Sequence, residues 1–559
     1  MKQINLIVLT LLLILLTGCG GGGGSASTDT EINTLDIDIK SKILLNHSAY
    51  VTSQCYTKTI DEHNQTHNPC YSCHRESIEP NYVNDESVQE INSFPAYATT
   101  NHWKNLFLDK RALVAKITNS EIDTYIAQDN YKNSDGTIIL ANKLNTIASK
   151  WDVNNNAKWD GYTPDCHFNF DNEGFDKDLN GTLTGWRAFA YYPFLGTFWP
   201  TNGSTDDVII RLPEMFQKDV NGNFDKETYK INLFIVESLI KKKDIEITPI
   251  SEVQFNIDLD GDGVIGTASK IKYTYDANKS FSMSYAGLAK QALTDGTTNL
   301  AGGLFPTGTE FLHSVRYIDT STNPVGMAKR MKELRYSKKN TWLGYEKLAI
   351  IAAGVVKEKL FDPDALETFE GDAETGLTAR GGWVYQGFIE DKDGELRPQS
   401  YEETLYCMGC HGGIGATTDT IFAFPRKFEK PNLNDGWYHW SKKGLVGILE
   451  PKNSDGLFEY SNYLKNNGAG DEFRGNDEVF AKFFDAEGKL KNDEASKINQ
   501  DISYLLLPTQ ERARSLNKAY QITVKEQSFL YGRDTLLGPA NNVNQQVTQN
   551  SSTQLSILK

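Results

Sequence analysis

The chain has 559 residues, and its 57 basic and 73 acidic side chains leave a net charge of −16 at neutral pH. No basic patch or stripe stands out, so nucleic-acid binding is set aside as a class. The length exceeds what one small domain needs.

Residues 6–16 form an almost unbroken apolar run behind Lys2. That run is too short to span a bilayer and suits the apolar core of a signal peptide. Leu16-Thr17-Gly18-Cys19 follows, then five glycines and Ser25-Ala26-Ser27, which have the composition of a flexible tether. Residues 1–18 therefore read as a signal and 19–46 as a tether. The tetrapeptide resembles the lipobox of bacterial lipoproteins. The resemblance implies that Cys19 becomes the lipidated first residue and that lipid alone holds the chain to the membrane. It places the chain in a bacterial cell envelope, facing the periplasm or the exterior.

Residues 47–150 contain Cys70-Tyr71-Ser72-Cys73-His74, after the turn signal Asn68-Pro69, and a helix is expected over 104–117. Residues 151–380 interleave Asp, Asn and Gly with aromatics, among them Trp151, Trp159, Trp186 and Trp199. Such a stretch is expected to pack through turns and rings. Helical periodicity marks 227–242 and 342–360, and a short strand is expected at 271–275. Residues 381–540 contain Cys407-Met408-Gly409-Cys410-His411, with helices expected over 494–506 and 509–528. The tail, 541–559, is rich in Asn, Gln and Ser and reads as disordered. The expected fold is mainly α, with two segments flanking a large, loop-rich central region that has minor β.

The two pentapeptides share the form Cys-x-x-Cys-His. This is the attachment signature of a c-type haem, in which two thiols bond to the vinyl groups and the adjacent His offers nitrogen to the iron. A zinc site or redox dithiol lacks its usual surroundings here. The motifs resemble those of c-type cytochromes. That resemblance implies two covalently bound haems on Cys70, Cys73, Cys407 and Cys410, with His74 and His411 as proximal ligands.

Each iron has a second axial position. His102 lies 28 residues after His74 and His439 lies 28 after His411, each followed by Trp, so these two are the paired distal candidates. His313 is the rival, and Arg316 stands near it as a second candidate distal catalytic group. Of the seven cysteines, Cys19 and the four motif residues leave Cys55 and Cys166. In an oxidising compartment these two are candidates for a disulfide. Two acidic loops match the first half of a calcium loop: Asp258, Asp260 and Asp262, and again Asp176, Asp178 and Asn180. Neither has an acidic residue at loop position twelve, and the alternative is a turn without metal.

Two haem sites and a bound calcium are similar to what di-haem cytochrome c peroxidases carry, although these motifs stand 337 residues apart. Di-haem rubber oxygenases are similar in size and attachment motifs alone. The leading expectation is electron transfer between redox partner proteins by a membrane-anchored di-haem cytochrome c. The alternatives are a di-haem peroxidase or oxygenase with one open iron, and a haem-bearing binding or sensor lipoprotein.

Overall fold

The longest extended runs, Glu310–Asp319 and Gly326–Lys339, pair antiparallel, and the rest of the chain is arranged around them. This computed structural model describes residues 38–60, 63, 66–67, 70–74, 76–80, 94–193, 200–279, 282–429, 436–453, 455–468 and 474–548. The signal, Cys19, most of the tether, Asn68-Pro69, Trp199 and the end of the tail lie outside these residues.

In chain order the strands are β1 (Thr59–Ile60), β2 (Thr66–His67), β3 (Phe175–Lys177), β4 (Leu183–Phe189), β5 (Thr205–Asp206), β6 (Val208–Arg211) and β7 (Ile245–Ser251). They continue with β8 (Thr267–Ile271), β9 (Glu310–Asp319), β10 (Gly326–Lys339), β11 (Gly371–Asp372), β12 (Gly376–Thr378), β13 (Trp383–Glu390) and β14 (Leu396–Pro398). Ten of them form one antiparallel sheet in the order β11-β12-β13-β10-β9-β6-β4-β3, with β14 beside β13 and β5 beside β9. The pairs β1–β2 and β7–β8 stand apart from it.

This architecture corrects the mainly α expectation: the fold is mixed α/β on a large antiparallel sheet. The misleading element is β10. Its Arg330, Lys332, Glu333, Arg335 and Lys339 read as a solvated surface, yet this strand is central and most of these side chains are buried. Burial is tolerated because charges are paired. Arg330 reaches Glu390 at 2.6 Å, Arg335 and Arg533 both reach Glu333 at 2.9 Å, and Lys339 reaches Asp419 at 2.5 Å.

The helices divide by how they are capped. Lys226–Lys241 starts at Asp225, whose carboxylate accepts from the Thr228 N–H, and stops at Lys242 in a left-handed conformation. Gln510–Glu526 starts likewise at Thr509. Tyr345–Phe361 is a third long helix. Expected helix 104–117 is instead a 3-10 turn, Lys104–Phe107, and a single α turn, Arg111–Val114. Expected helix 494–506 is broken into Asn492–Ile498 and Ser503–Leu506. The strand expected at 271–275 lies earlier, as β8. The tail is ordered through 548: Val543 bridges to Thr57 and Gln546 to Thr100.

Residues 36–559 form one compact unit, so the three segments distinguished in the sequence interleave. The Asp/Asn/Gly texture has a specific cause. Asp171, Asp178, Asp219, Asp391, Asn453 and Asp485 each accept, through one side-chain oxygen, from the backbone N–H two and four residues on. Each is followed three residues later by a glycine at φ between +77° and +87°, the left-handed step these tight turns require.

Candidate functional site

The helix Tyr401–His411 carries the second motif on its last turn. It opens with a capping box between Ser400 and Glu403, and Glu403 also takes a two-pronged ion pair from Arg397 at 2.8 and 2.9 Å. Glu402 accepts from the N–H groups of Leu45 and Asn46 at 2.8 and 2.7 Å, tying the start of the compact unit to this helix. Helical spacing places Cys407, Cys410 and His411 on one face. Gly409, between the cysteines, packs on the Tyr50 carbonyl: a Cβ there would stand 1.8 Å from that oxygen.

The first motif is a single helical turn, Cys70–Cys73, with the His74 N–H donating to the Cys70 carbonyl at 2.6 Å. The Ala416 N–H, just past the second motif, donates to the Cys73 carbonyl at 2.9 Å. Both motifs line one cavity of about 280 Å³ that opens to solvent.

The sheet and the loop after His411 supply apolar walls through Phe189, Phe311, Leu312, Ile421, Phe422 and Phe424. Arg335, Arg426, Lys427, Arg474, Arg512 and Arg533 add cations around them. These cations are held in place: Arg474 pairs with Asp534, Lys427 with Glu237 at 3.1 Å, and Arg426 donates to the Tyr192 carbonyl at 2.8 Å.

His411 is oriented by its surroundings. Its Nδ1 lies 2.9 Å from the Thr420 carbonyl and 3.3 Å from the Tyr385 hydroxyl, and its ring meets Phe422 edge-on at 5.5 Å. Donation from Nδ1 to that carbonyl leaves the lone pair on Nε2. Burial, reinforced by the Arg335 guanidinium, pushes the imidazole down to about 4, so it is neutral at physiological pH. Burial raises the Cys407 thiol and pushes Cys410 up to about 12. Before any ligation, the second motif therefore presents protonated thiols and a neutral imidazole.

Of the expected distal candidates, only His313 lines this cavity. His102 stacks on Tyr97 at 4.4 Å, with Nε2 at 3.2 Å from the Tyr97 carbonyl. His439 is buried against Phe170, its Nε2 at 2.9 Å from Asp207 and its Nδ1 at 2.8 Å from the Ser441 hydroxyl. Both nitrogens of His439 contact protein groups, and neither His102 nor His439 lines the cavity. Arg316 serves the interior, bonding the Ser314 hydroxyl and the Lys329 carbonyl and lying over Phe168.

The proposed disulfide is corrected too. Cys55 and Cys166 are both free thiols. Cys55 lines the cavity beside Cys410, whereas Cys166 is buried under Tyr131 and Asp176.

The acidic loops part company. Asp176 is fully buried and accepts from His167 N, Asn169 N and the Thr184 hydroxyl at 2.7–2.9 Å, while Asp178 and Asn180 form the β3–β4 turn. In the second loop, Glu252, Asp258 and Asp260 bring ligand atoms within 4.8 Å of one another, so Glu252 takes the place expected of Asp262. Glu252 holds the backbone N–H of Leu259 and Gly266 at 2.5 and 2.8 Å. Glu374 treats a further Asp- and Asn-rich loop, residues 152–160, the same way, holding Val153 and Asp160 N–H at 2.9 Å each. Both glutamates lie far from their loops' expected twelfth position, so the loop pattern alone does not reveal them.

Arg335, Arg533, Arg474 and Tyr385 were not legible as site residues. No local motif surrounds them; the sheet and the returning C-terminal segment bring them to the cavity.

These features define a class: an α/β protein in which two Cys-x-x-Cys-His helices share one cavity beside an antiparallel sheet. A family model described as "-like lipoprotein" matches residues 39–504, and the chain belongs to this lipoprotein family. A protein of Aquifex aeolicus (strain VF5) named "Uncharacterized lipoprotein" is 32% identical over 545 residues, covering 89% of this chain and 87% of that one. No solved structure matches. Membership of a lipoprotein family implies a lipid anchor on a membrane. Among the described residues, no helix is long and apolar enough to cross one.

Proposed function

We propose that this lipoprotein is a membrane-anchored di-haem cytochrome c that carries electrons between partner proteins in the periplasm or at the cell surface, with Cys19 as its lipidated residue. The observation that carries the reading is the convergence of both Cys-x-x-Cys-His motifs on one cavity, linked by the Ala416–Cys73 hydrogen bond of 2.9 Å. Two motifs of unrelated purpose have no reason to meet across 337 residues.

The residues present suit the group. Cys407 and Cys410 are protonated thiols on one helical face, each able to add S–H across a vinyl bond without an oxidant. The Thr420 carbonyl accepts from His411 Nδ1, which would leave Nε2 to face an iron. The apolar walls accept a porphyrin face, and the arginines suit its two carboxylates. Bound there, haem supplies one-electron ferric/ferrous chemistry. The protein's part is to hold both groups in one low-dielectric space with fixed cations nearby.

The test is a pyridine haemochromogen assay on the purified mature protein, followed by reduced spectra with and without carbon monoxide. Two haems per chain that ignore carbon monoxide support electron transfer. Absence of haem sinks the reading, and a carbon-monoxide-binding haem turns it toward a peroxidase or oxygenase.

A further inference from the structure

We propose that the helix Tyr345–Phe361 rests on the surface of a lipid bilayer and is held there by apolar contact. The inference draws on membership of the lipoprotein family and is independent of the di-haem reading. Of the 17 helical residues only Ala352 is buried. Ile350, Val356, Leu360 and Phe361 are 57, 61, 75 and 81% exposed. No charged residue falls between Leu348 and Val356.

Helical spacing sorts these side chains into two apolar faces. Leu348, Ile351 and Val355 are half-buried around Ala352 and face the protein. Ala349, Ala353, Val356 and Leu360 follow one another at steps of four, three and four residues and make an exposed stripe. A helix that is apolar on both sides is ordinarily covered on both. A continuous apolar surface of this kind marks a contact with something other than water.

The charges decide what kind of contact it is. Lys347, Lys357 and Lys359 share the helix with Glu346 and Glu358, and Asp362 and Asp364 follow directly. Cations and carboxylates here nearly cancel, and the whole chain carries −16, so an anionic surface has no net hold on this face. The helix charges stand in the first and last turns, where they reach water while the stripe between them is covered. Trp342 and Tyr345 are half-buried at the start of the helix, and both ring types settle at the headgroup level of a membrane.

A second copy of this chain suits the face poorly. A helix of this length is ~25 Å long and ~10 Å wide, so one face offers roughly 250 Å². Each partner in a stable complex buries about 800 Å². A bilayer sets no such minimum, because lipoprotein membership implies a lipid anchor and the stripe only adds to an attachment already made. At ~25 Å the helix is also too short to span the bilayer, so it lies along the surface.

The test uses the full mature lipoprotein, anchored through its own lipid in phosphatidylcholine vesicles doped with a diazirine phosphatidylcholine. After illumination, peptide mapping is expected to find lipid adducts within residues 349–361. Val356→Glu/Leu360→Glu is expected to lose them while staying anchored and keeping the wild-type circular dichroism spectrum. If the variant loses that spectrum, the wild-type map decides alone. High salt is expected to leave the adducts in place, since the contact is apolar. Wild-type protein without adducts on this helix, adducts that high salt removes, or adducts that survive in the folded double variant would each overturn the inference. So would an amine cross-linker joining Lys357 to a second copy in place of lipid adducts, which would assign the face to self-association.

Discussion

The Ala416 N–H donates to the Cys73 carbonyl at 2.9 Å, so the end of the first motif is bonded to the loop leaving the second. On the di-haem reading, the two attachment sites therefore report on each other. Cys70→Ala/Cys73→Ala is expected to halve the haem per chain and to shift the midpoint potential of the haem that remains. Haemochromogen content and a redox titration check both, and an unchanged potential would mean the two sites are electrically separate.

Gly409 touches the Tyr50 carbonyl where a Cβ would need 1.8 Å. Gly409→Ala must push the Tyr50–Thr52 segment off the motif helix. A loss of about 1–3 kcal/mol is expected from overpacking, read as a lower urea midpoint. Met408→Leu, one residue away, is nearly volume-conserving and is expected to cost less than about 1.5 kcal/mol.

Arg335 carries a fixed positive charge on the cavity wall and pairs with Glu333 at 2.9 Å. On the di-haem reading, Arg335→Gln removes a charge that opposes the ferric state. The potential of at least one haem is expected to fall by on the order of tens of millivolts, seen by spectroelectrochemistry. A rise would contradict the placement.

Burial pushes Lys332 down to about 7, with its Nζ held by the Gly203 carbonyl at 2.6 Å and the Ser204 hydroxyl at 2.9 Å. A free lysine titrates near 10.4. Between these values the unfolded chain binds more protons than the folded one, so this residue makes stability rise with pH from about 7 toward about 10. The wild type is expected to gain on the order of 2 kcal/mol from pH 7 to 9 relative to Lys332→Met. Urea unfolding of both proteins at the two pH values isolates the effect, and parallel pH curves would refute it.

What could be seen in the sequence depended on how local the signal was. Lys226–Lys241 is written in short-range spacing and capping, and it stands close to where that spacing puts it. The sheet was hidden because β10 buries charges whose partners, Glu390, Asp419 and Arg533, lie 60 to 200 residues away. Asp176 matched a metal-loop pattern because the turn chemistry of Asp, Asn and Gly is shared by metal loops and tight hairpins. His102 and His439 kept a matched spacing while packing against Tyr97 and Asp207. Only contacts across the fold distinguish those outcomes.

The cavity wall runs from Thr52 to Leu536, which gives the site a place in time as well as in space. A chain emerging from a secretion channel exposes Cys70 and Cys73 long before Cys407 and Cys410 arrive, and the last wall residues come later still. On the di-haem reading, attachment chemistry at the first pair can meet an open peptide, while the second pair is enclosed soon after it appears. On the same reading, maturation is accordingly an ordered sequence, in which the sheet closes over a pocket that no shorter nascent chain possesses.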